Sequence, residues 1–430
     1  MQTPALTGRR PSYGWVIVTV SFILLVGSFG TQLCFGLFLK PLAEEFGWSR
    51  AAVSGGMSLL MAVSGLAGIF MGKATDKWGA RAAIAPGLVL GAIGYLLLSR
   101  MNHLWEFYVC FGIGGGLLAG CSYTPAVTIV SDWFGPRQRT LAIGIALLGV
   151  IAGQMILSPV ISGVIEADGW RTGWWVLAIV GFVCGLPALA LARKNPDGEA
   201  ALAAERHQAG GAGPGGLTAA ESAHTLAFWI LMASGAAIGM GFYAFNAHIV
   251  SYATDVGLTA EKAALIFTVS SVGGALGSVL AGATTHRLGH RWSLLLFTAL
   301  NAVAMFLFIP AASAWVFYLF GAVLGFAFSG AVPVRMAVVP PLFGTRAVGA
   351  IIGLASASFS MGAIAGPFLA GYIFDSTGSY DLAFMIFGIL LVLGAAWLYF
   401  LKAPKGAPGY HQSAEAADGT PAAAGGPAAD

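Results

Sequence analysis

The chain has 430 residues, 57% of them hydrophobic and only 9% charged, with a formal net charge of +3. Soluble domains average about 25% charged residues, so composition excludes a soluble globular fold. Nearly uncharged stretches recur along the whole chain, each long enough to cross a hydrocarbon layer of about 30 Å as a helix, which predicts an all-α polytopic membrane protein.

The first apolar run, Gly14 to Leu39, is too long for the core of a cleavable signal and ends in no small-residue cleavage site. In chain order, spans are expected at 14–39, 50–72, 81–99, 105–131, 139–165 and 172–192. A polar, Gly/Ala-rich stretch, 193–224, then reads as a linker. Six more spans follow at 225–254, 260–283, 291–310, 314–341, 346–374 and 380–402, and an Ala/Gly/Pro-rich tail, 403–430, is expected to be disordered. Residues 1–13 form the N-terminal segment. Cys34, Cys110, Cys121 and Cys184 all fall inside apolar runs and read as small packing residues.

Lysine and arginine set the orientation. With both termini in the cytoplasm, fifteen basic residues lie on the inner side and five on the outer: Lys40, Arg50, Arg100, Arg171 and Lys262. A multi-pass protein of the cell's inner (plasma) membrane is expected.

The two halves repeat. EEFGWSRAA (44–52) matches TDVGLTAEK (254–262), aligning Gly47 with Gly257 and the helix-capping Ser49 with Thr259. GKATDKWGAR (72–81) matches GATTHRLGHR (282–291), and SPVISG (158–163) matches GPFLAG (366–371). Six spans, a linker and six more spans in parallel repeat predict two pseudo-symmetric bundles with a site between them.

The stretch 72–81 resembles the loop motif of the major facilitator superfamily, Gly-x-x-x-Asp-Arg-x-Gly-x-Arg. Gly72, Asp76, Gly79 and Arg81 match, with Lys77 in the first arginine place. The second copy keeps Gly282, Arg287, Gly289 and Arg291, with His286 in the acid's place. Within that superfamily, YGWVIVTVSF (13–22), FGLFLKPLAEEFGWSRAAVSG (35–55), HIVSYATDVGLTAEKAA (248–264) and GPFLAGYIFDSTGSY (366–380) resemble the monocarboxylate transporter and oxalate/formate antiporter branch. The resemblance implies the major facilitator fold and transport by alternating access. Members of the branch often carry a carboxylate-gripping arginine in a Gly-Arg pair on the eighth span; here the pair reads Gly277-Ser278. The basic loops themselves read either as a gate on the cytoplasmic side, with Asp76 pairing or meeting a helix N-terminus, or as topology anchors.

Ionisable groups deep in a span are costly and mark function by default. Two stand out. Arg335 lies six residues before Pro341, about 9 Å deep, at a depth similar to Ser278. It reads as the cationic grip that Ser278 lacks, or as a side chain reaching back to the interface. His248 reads as a proton-coupling or outer-gate residue, or as an interhelical hydrogen bond. No Asp or Glu falls in a span interior. Gln32, Tyr123, Gln154, Tyr243, Asn246, Ser278 and Ser358 complete the candidate site. They fall on spans that line the cavity in the superfamily, and each alone also reads as a packing contact.

The glycine string GIGGGLLAG (112–120) lacks the features of a phosphate loop. It instead spaces Gly112, Gly116 and Gly120 by four, like Gly68/Gly72, Gly149/Gly153, Gly273/Gly277 and Gly362/Gly366, as in close helix packing. No enzyme motif, metal cluster or nucleic-acid patch is evident, and no cofactor is expected. The expected function is secondary transport, by a monomer in the lipid bilayer, of a small organic anion such as lactate or pyruvate coupled to protons. The alternatives are an anion exchanger, an exporter of amphipathic compounds, or a non-transporting membrane sensor.

Overall fold

The computed structural model describes residues 11–193, 195, 216–311 and 313–404, and for 11, 12, 76, 136, 137 and 140 the backbone only. The N-terminal residues 1–10, linker residues 194 and 196–215 and the tail from 405 lie outside the described residues.

Helices follow from the apolar runs, because in hydrocarbon every backbone polar group needs a partner inside its own segment. The first half contains α1 (Pro11–Leu33), α2 (Leu39–Phe46), α3 (Arg50–Trp78), α4 (Ala80–Leu98), α5 (Leu104–Phe107), α6 (Gly116–Trp133), α7 (Pro136–Asp168) and α8 (Trp170–Leu191). A 3₁₀ turn, Cys34–Leu37, joins α1 to α2, and a π-helical stretch, Tyr108–Gly115, joins α5 to α6. The second half contains α9 (Ala219–Ala223), α10 (Leu226–Asp255), α11 (Ala260–Phe308), α12 (Ala314–Ala337), α13 (Val339–Phe343), α14 (Val348–Thr377) and α15 (Asp381–Tyr399). The 49-residue α11 is two spans meeting at Gly289, so the described helices supply the twelve expected crossings, six in each half.

The repeat is visible in backbone detail. Ser49 Oγ accepts from Ala52 N at 3.1 Å, and Thr259 Oγ1 accepts from Lys262 N at 3.4 Å. Gly79 (φ +87°) and Gly289 (φ +80°) turn the chain identically between successive spans, a conformation that side chains strain to reach. Part of the expected linker has structure of its own. Thr218 and Glu221 form a capping box that starts α9, and Leu217 N donates to Phe343 O at 2.9 Å. Its Gly/Ala-rich composition concealed that Thr-x-x-Glu signal.

Most of the glycines spaced by four bring helices into backbone contact; Gly112 faces the Leu59 side chain instead, and Gly68 and Gly72 face Thr124. Gly149 and Gly153 of α7 face carbonyls of α1; Gly362 and Gly366 of α14 face carbonyls of α10. Gly116 and Gly120 of α6 meet carbonyls of α3; Gly273 and Gly277 of α11 meet carbonyls of α12. Each half is thereby stitched into one bundle, and the seams of one half repeat those of the other. At the end remote from Gly79 and Gly289, Glu45 accepts from Trp170 Nε1 and from Arg171 Nη1, both at 2.5 Å. These donors hold its carboxyl below the usual carboxylate range, so this exposed contact weakens as pH falls through that lowered value.

A glycine comparison tests the fold. Replacing Gly289 by Ala forces a side chain into a φ of +80° and is expected to cost about 1–3 kcal/mol. Gly282→Ala in the same motif copy meets nothing within 4 Å and is expected to leave the melting temperature unchanged. Thermal unfolding of the purified variants in detergent measures both.

Candidate functional site

The end carrying the turns at Gly79 and Gly289 is here the basic end, the opposite one the far end. All cross-bundle hydrogen bonds among the described residues lie at mid-membrane or toward the far end. Lys40 Nζ and Arg50 Nη1 reach the two carboxylate oxygens of Asp255 at 2.8 and 2.6 Å. Asp375 of α14 accepts from the backbone N–H groups of Arg50 (2.9 Å) and Ala51 (2.8 Å), so a carboxylate of one bundle caps a helix of the other. Arg50 also lies 3.8 Å over the Phe374 ring. Deeper, Thr268 Oγ1 donates to Met155 O at 3.2 Å, and Ser271 Oγ to Gln154 Oε1 at 3.5 Å. Toward the basic end α3 and α14 part: Leu66, Ile69 and Phe70 are exposed on α3, and Leu354 and Met361 on α14. The molecule is closed at the far end and open at the basic end.

His248 belongs to the far-end closure. Its Nε2 is 2.8 Å from Pro367 O, a group that only accepts, so Nε2 carries the proton. Its Nδ1 then accepts from the Tyr380 hydroxyl at 2.9 Å, and that oxygen accepts from Arg50 Nη1 at 2.8 Å. The tautomer is assigned from this network. The interhelical-bond reading of His248 describes the geometry, and the bond is wired into the clasp.

Arg335 is buried (2% exposed) against Gly235 of α10. Its Nη1 donates to Ala355 O at 2.7 Å, its Nε has no partner, and its Cζ lies 5.3 Å over the Phe359 ring. No carboxylate pairs with it among the described residues. It does not reach back to the interface. Ser358 joins it, donating to the same Ala355 carbonyl at 2.8 Å. Ser278 does not: its hydroxyl turns to Ser329 O at 3.5 Å, six residues and about 9 Å of helix rise from Arg335.

A second group gathers where α1 faces α10. Tyr243 stands beside Gln32, and Tyr123 packs on Phe29 with ring centroids 5.7 Å apart. Gln32 is fully buried; its Nε2 approaches Met61 Sδ at 3.9 Å, while its Oε1 makes no hydrogen bond. Asn246 is buried with both amide atoms unpartnered, and its backbone carbonyl presses on Gly36 of the 3₁₀ turn. Gln154 is held at the bundle interface by Ser271.

The basic loops act within their own bundles. Arg81 donates to Ala192 O (2.7 Å) and Ala190 O (2.5 Å) at the end of α8, and Arg291 donates to Tyr399 O at the end of α15. Each arginine caps the last carbonyls of a helix, where positive charge is favoured. Lys77 lies over the Trp78 ring, Arg287 is exposed, and the Asp76 side chain lies outside the described residues. A methyl added at Gly72 would touch the Thr124 side chain, while one at Gly282 would meet open space. Neither arginine touches the other bundle in this open-at-the-basic-end state.

Sequence reasoning passed over Lys40, Arg50, Asp255, Asp375 and Tyr380, because charges at span ends are ordinary. The repeat of 44–52 in 254–262, which contains Arg50 and Asp255, was the available signal.

Two six-helix bundles closed at one end and parted at the other, with a buried arginine among the helices of the second, define a multi-pass membrane transporter. The Major Facilitator Superfamily family model matches residues 20–264 and 230–424, and the chain belongs to that superfamily. It is 26% identical to human "Monocarboxylate transporter 11" over 408 residues (92% of this chain, 84% of that protein). It is 27% identical to "Monocarboxylate transporter 13" of Rattus norvegicus (90% and 89%) and 24% identical to "Uncharacterized MFS-type transporter YcxA" of Bacillus subtilis strain 168 (90% and 94%). Among solved structures, a bacterial homologue of the human lysosomal transporter Spinster, inward-facing and occupied, superposes with a TM-score of 0.72 at 16% identity, covering 92% of this chain and 97% of that one. That likeness supports the fold.

Removing the Asp375 cap tests the far-end clasp. Asp375→Ala leaves two N–H groups of α3 without their cross-bundle acceptor and is expected to shift the population toward far-end opening by about 10–100-fold, for a charge-assisted contact of about 1.5–3 kcal/mol. Spin-label distances across the far end measure the shift.

Proposed function

We propose that the chain is a secondary active transporter of small organic monocarboxylates, coupled to protons and working by alternating access between the bundles. The observation that carries this reading is Arg335: a buried cation between helices with no acidic partner and an unpartnered Nε. Leaving such a charge unpaired costs several kcal/mol, and an incoming carboxylate removes that cost while accepting from the guanidinium fork. The relatives named as monocarboxylate transporters support the same class. The basic end faces the cytoplasm in this reading, in line with fifteen basic residues on that side against five on the other. The structure is then the inward-open state.

Protons enter through the far-end clasp. The groups around His248 are the Tyr380 hydroxyl, Arg50 and Asp375, with Asp255 and Lys40 joined through Arg50. In the neutral ring Nδ1 accepts. Protonation places an N–H there, against a hydroxyl oxygen already taken by Arg50, and adds a positive charge beside that guanidinium. Acid outside therefore favours opening of the far end and loading from outside.

Uptake of labelled lactate and pyruvate into proteoliposomes, with and without an acidic exterior, tests the reading. Acid-stimulated uptake is expected, with Arg335→Gln raising KM about 10–100-fold for a lost charged hydrogen bond of about 1.5–3 kcal/mol. His248→Gln is expected to flatten the pH profile. Uptake that needs preloaded anion and ignores pH would show exchange instead, and unchanged affinity in the Arg335 variant would remove the proposed grip.

A further inference from the structure

The helices around Arg335 carry a set of rings that a three-carbon acid does not use. From the guanidinium a run of aromatic rings leads toward the far end. Phe359 lies under Arg335, and its ring centroid is 6.2 Å from Tyr243 and 6.1 Å from Phe328. Phe328 stacks on Phe242 at 3.5 Å, nearly parallel, and Phe242 meets Tyr243 edge-on at 5.4 Å. Tyr243 meets Gln32 of the other bundle.

These rings are not sealed core. Phe242, Tyr243, Phe328 and Phe359 are half-buried, and Tyr123 is 41% exposed although it packs on Phe29 of α1. The run ends at fully buried Gln32, whose Oε1 completes no hydrogen bond although the Tyr243 hydroxyl stands beside the amide. An unmet acceptor at one end and an unmet cation at the other each call for a partner.

Their separation sets the size of that partner. Gly235, which touches the guanidinium, and Tyr243, beside Gln32, are eight residues apart on α10, about 12 Å of helix rise. A three-carbon acid spans about 5 Å, from carbon–carbon bonds of about 1.5 Å, and fills only the charged end. A carboxylate joined by a short chain to a hydroxylated ring covers most of the distance.

Resting on the monocarboxylate reading, we propose that the preferred cargo is an aryl monocarboxylate bearing a distal hydroxyl. The carboxylate pairs with Arg335 and Ser358, the ring packs among Phe359, Tyr243 and Phe328, and the hydroxyl donates to Gln32 Oε1. Aromatic rings at these spacings favour a further ring in offset or edge-on packing. A buried acceptor discriminates strongly against a cargo that lacks the donor.

The test is uptake by the full chain in proteoliposomes of 3-(4-hydroxyphenyl)propionate, 3-phenylpropionate and L-lactate, with thermal melting of each variant as the folding control. Expected is a KM for the hydroxylated acid at least tenfold below that of lactate, with 3-phenylpropionate between them. Phe359→Leu is expected to shrink the aryl-to-lactate ratio. Gln32→Leu is expected to erase the difference between the two aryl acids. Equal KM values for all three, or a preference for lactate, with loss of uptake in Arg335→Gln, would overturn the aryl proposal and leave the monocarboxylate reading standing. Uptake of none of the acids, or uptake indifferent to Arg335, would overturn both.

Discussion

Close approach of helix backbones is the constraint on which this structure depends. Inside a bilayer, apolar side chains gain little from each other that lipid does not already supply, so helices associate where small residues let backbones touch. Those contacts occur within bundles: α1 with α7, α3 with α6, α10 with α14, α11 with α12. Between bundles, backbone-close contact is confined to the far half, at Gly36 against Asn246 and Gly371 against Ala51. Each bundle is therefore stiff, and the surface between them is held by polar groups that water is able to replace. Rigid bodies with a replaceable interface are what rocking motion requires.

The same division separates two kinds of charge. Arg50, Lys40, Asp255 and Asp375 lie near the far surface, satisfied by each other and by helix ends. Arg335 lies deep and is satisfied only in part, by one carbonyl shared with Ser358. The first set is complete in the state seen here; the second keeps an unpartnered Nε. His248 belongs to the first set, through Tyr380, and that links a titratable ring to the closed end rather than to Arg335.

Much of this was legible in the sequence because it depends on local spacing. The twelve spans, the paired caps at Ser49 and Thr259, and the glycine seams all follow from residue type and period. Arg335 was legible as the lone charge at depth. Ser278 misled, because its place was inferred from a family position and not from its own neighbours; its hydroxyl had a nearer carbonyl at Ser329. The clasp was not legible, since Arg50 and Asp375 lie 325 residues apart and each looks like an ordinary span-end charge. Nor was the aromatic run as a whole: Tyr123 and Tyr243 stood out as candidates, but Phe242, Phe328 and Phe359 share no spacing that sets them apart from the chain's other phenylalanines.

The cross-bundle ion pairs at the far end have a consequence for the medium they face. Asp255 and Lys40 keep 26% and 28% of their side-chain surface accessible, so ions reach the clasp. At an ionic strength near 0.15 M the screening length is about 8 Å, and it shortens as salt rises. Brine loosens the far-end latch while the dry guanidinium at Arg335 hardly senses it. The resting balance between the two faces of the transporter is thus set partly by the salinity of the water it borders, independently of what it carries.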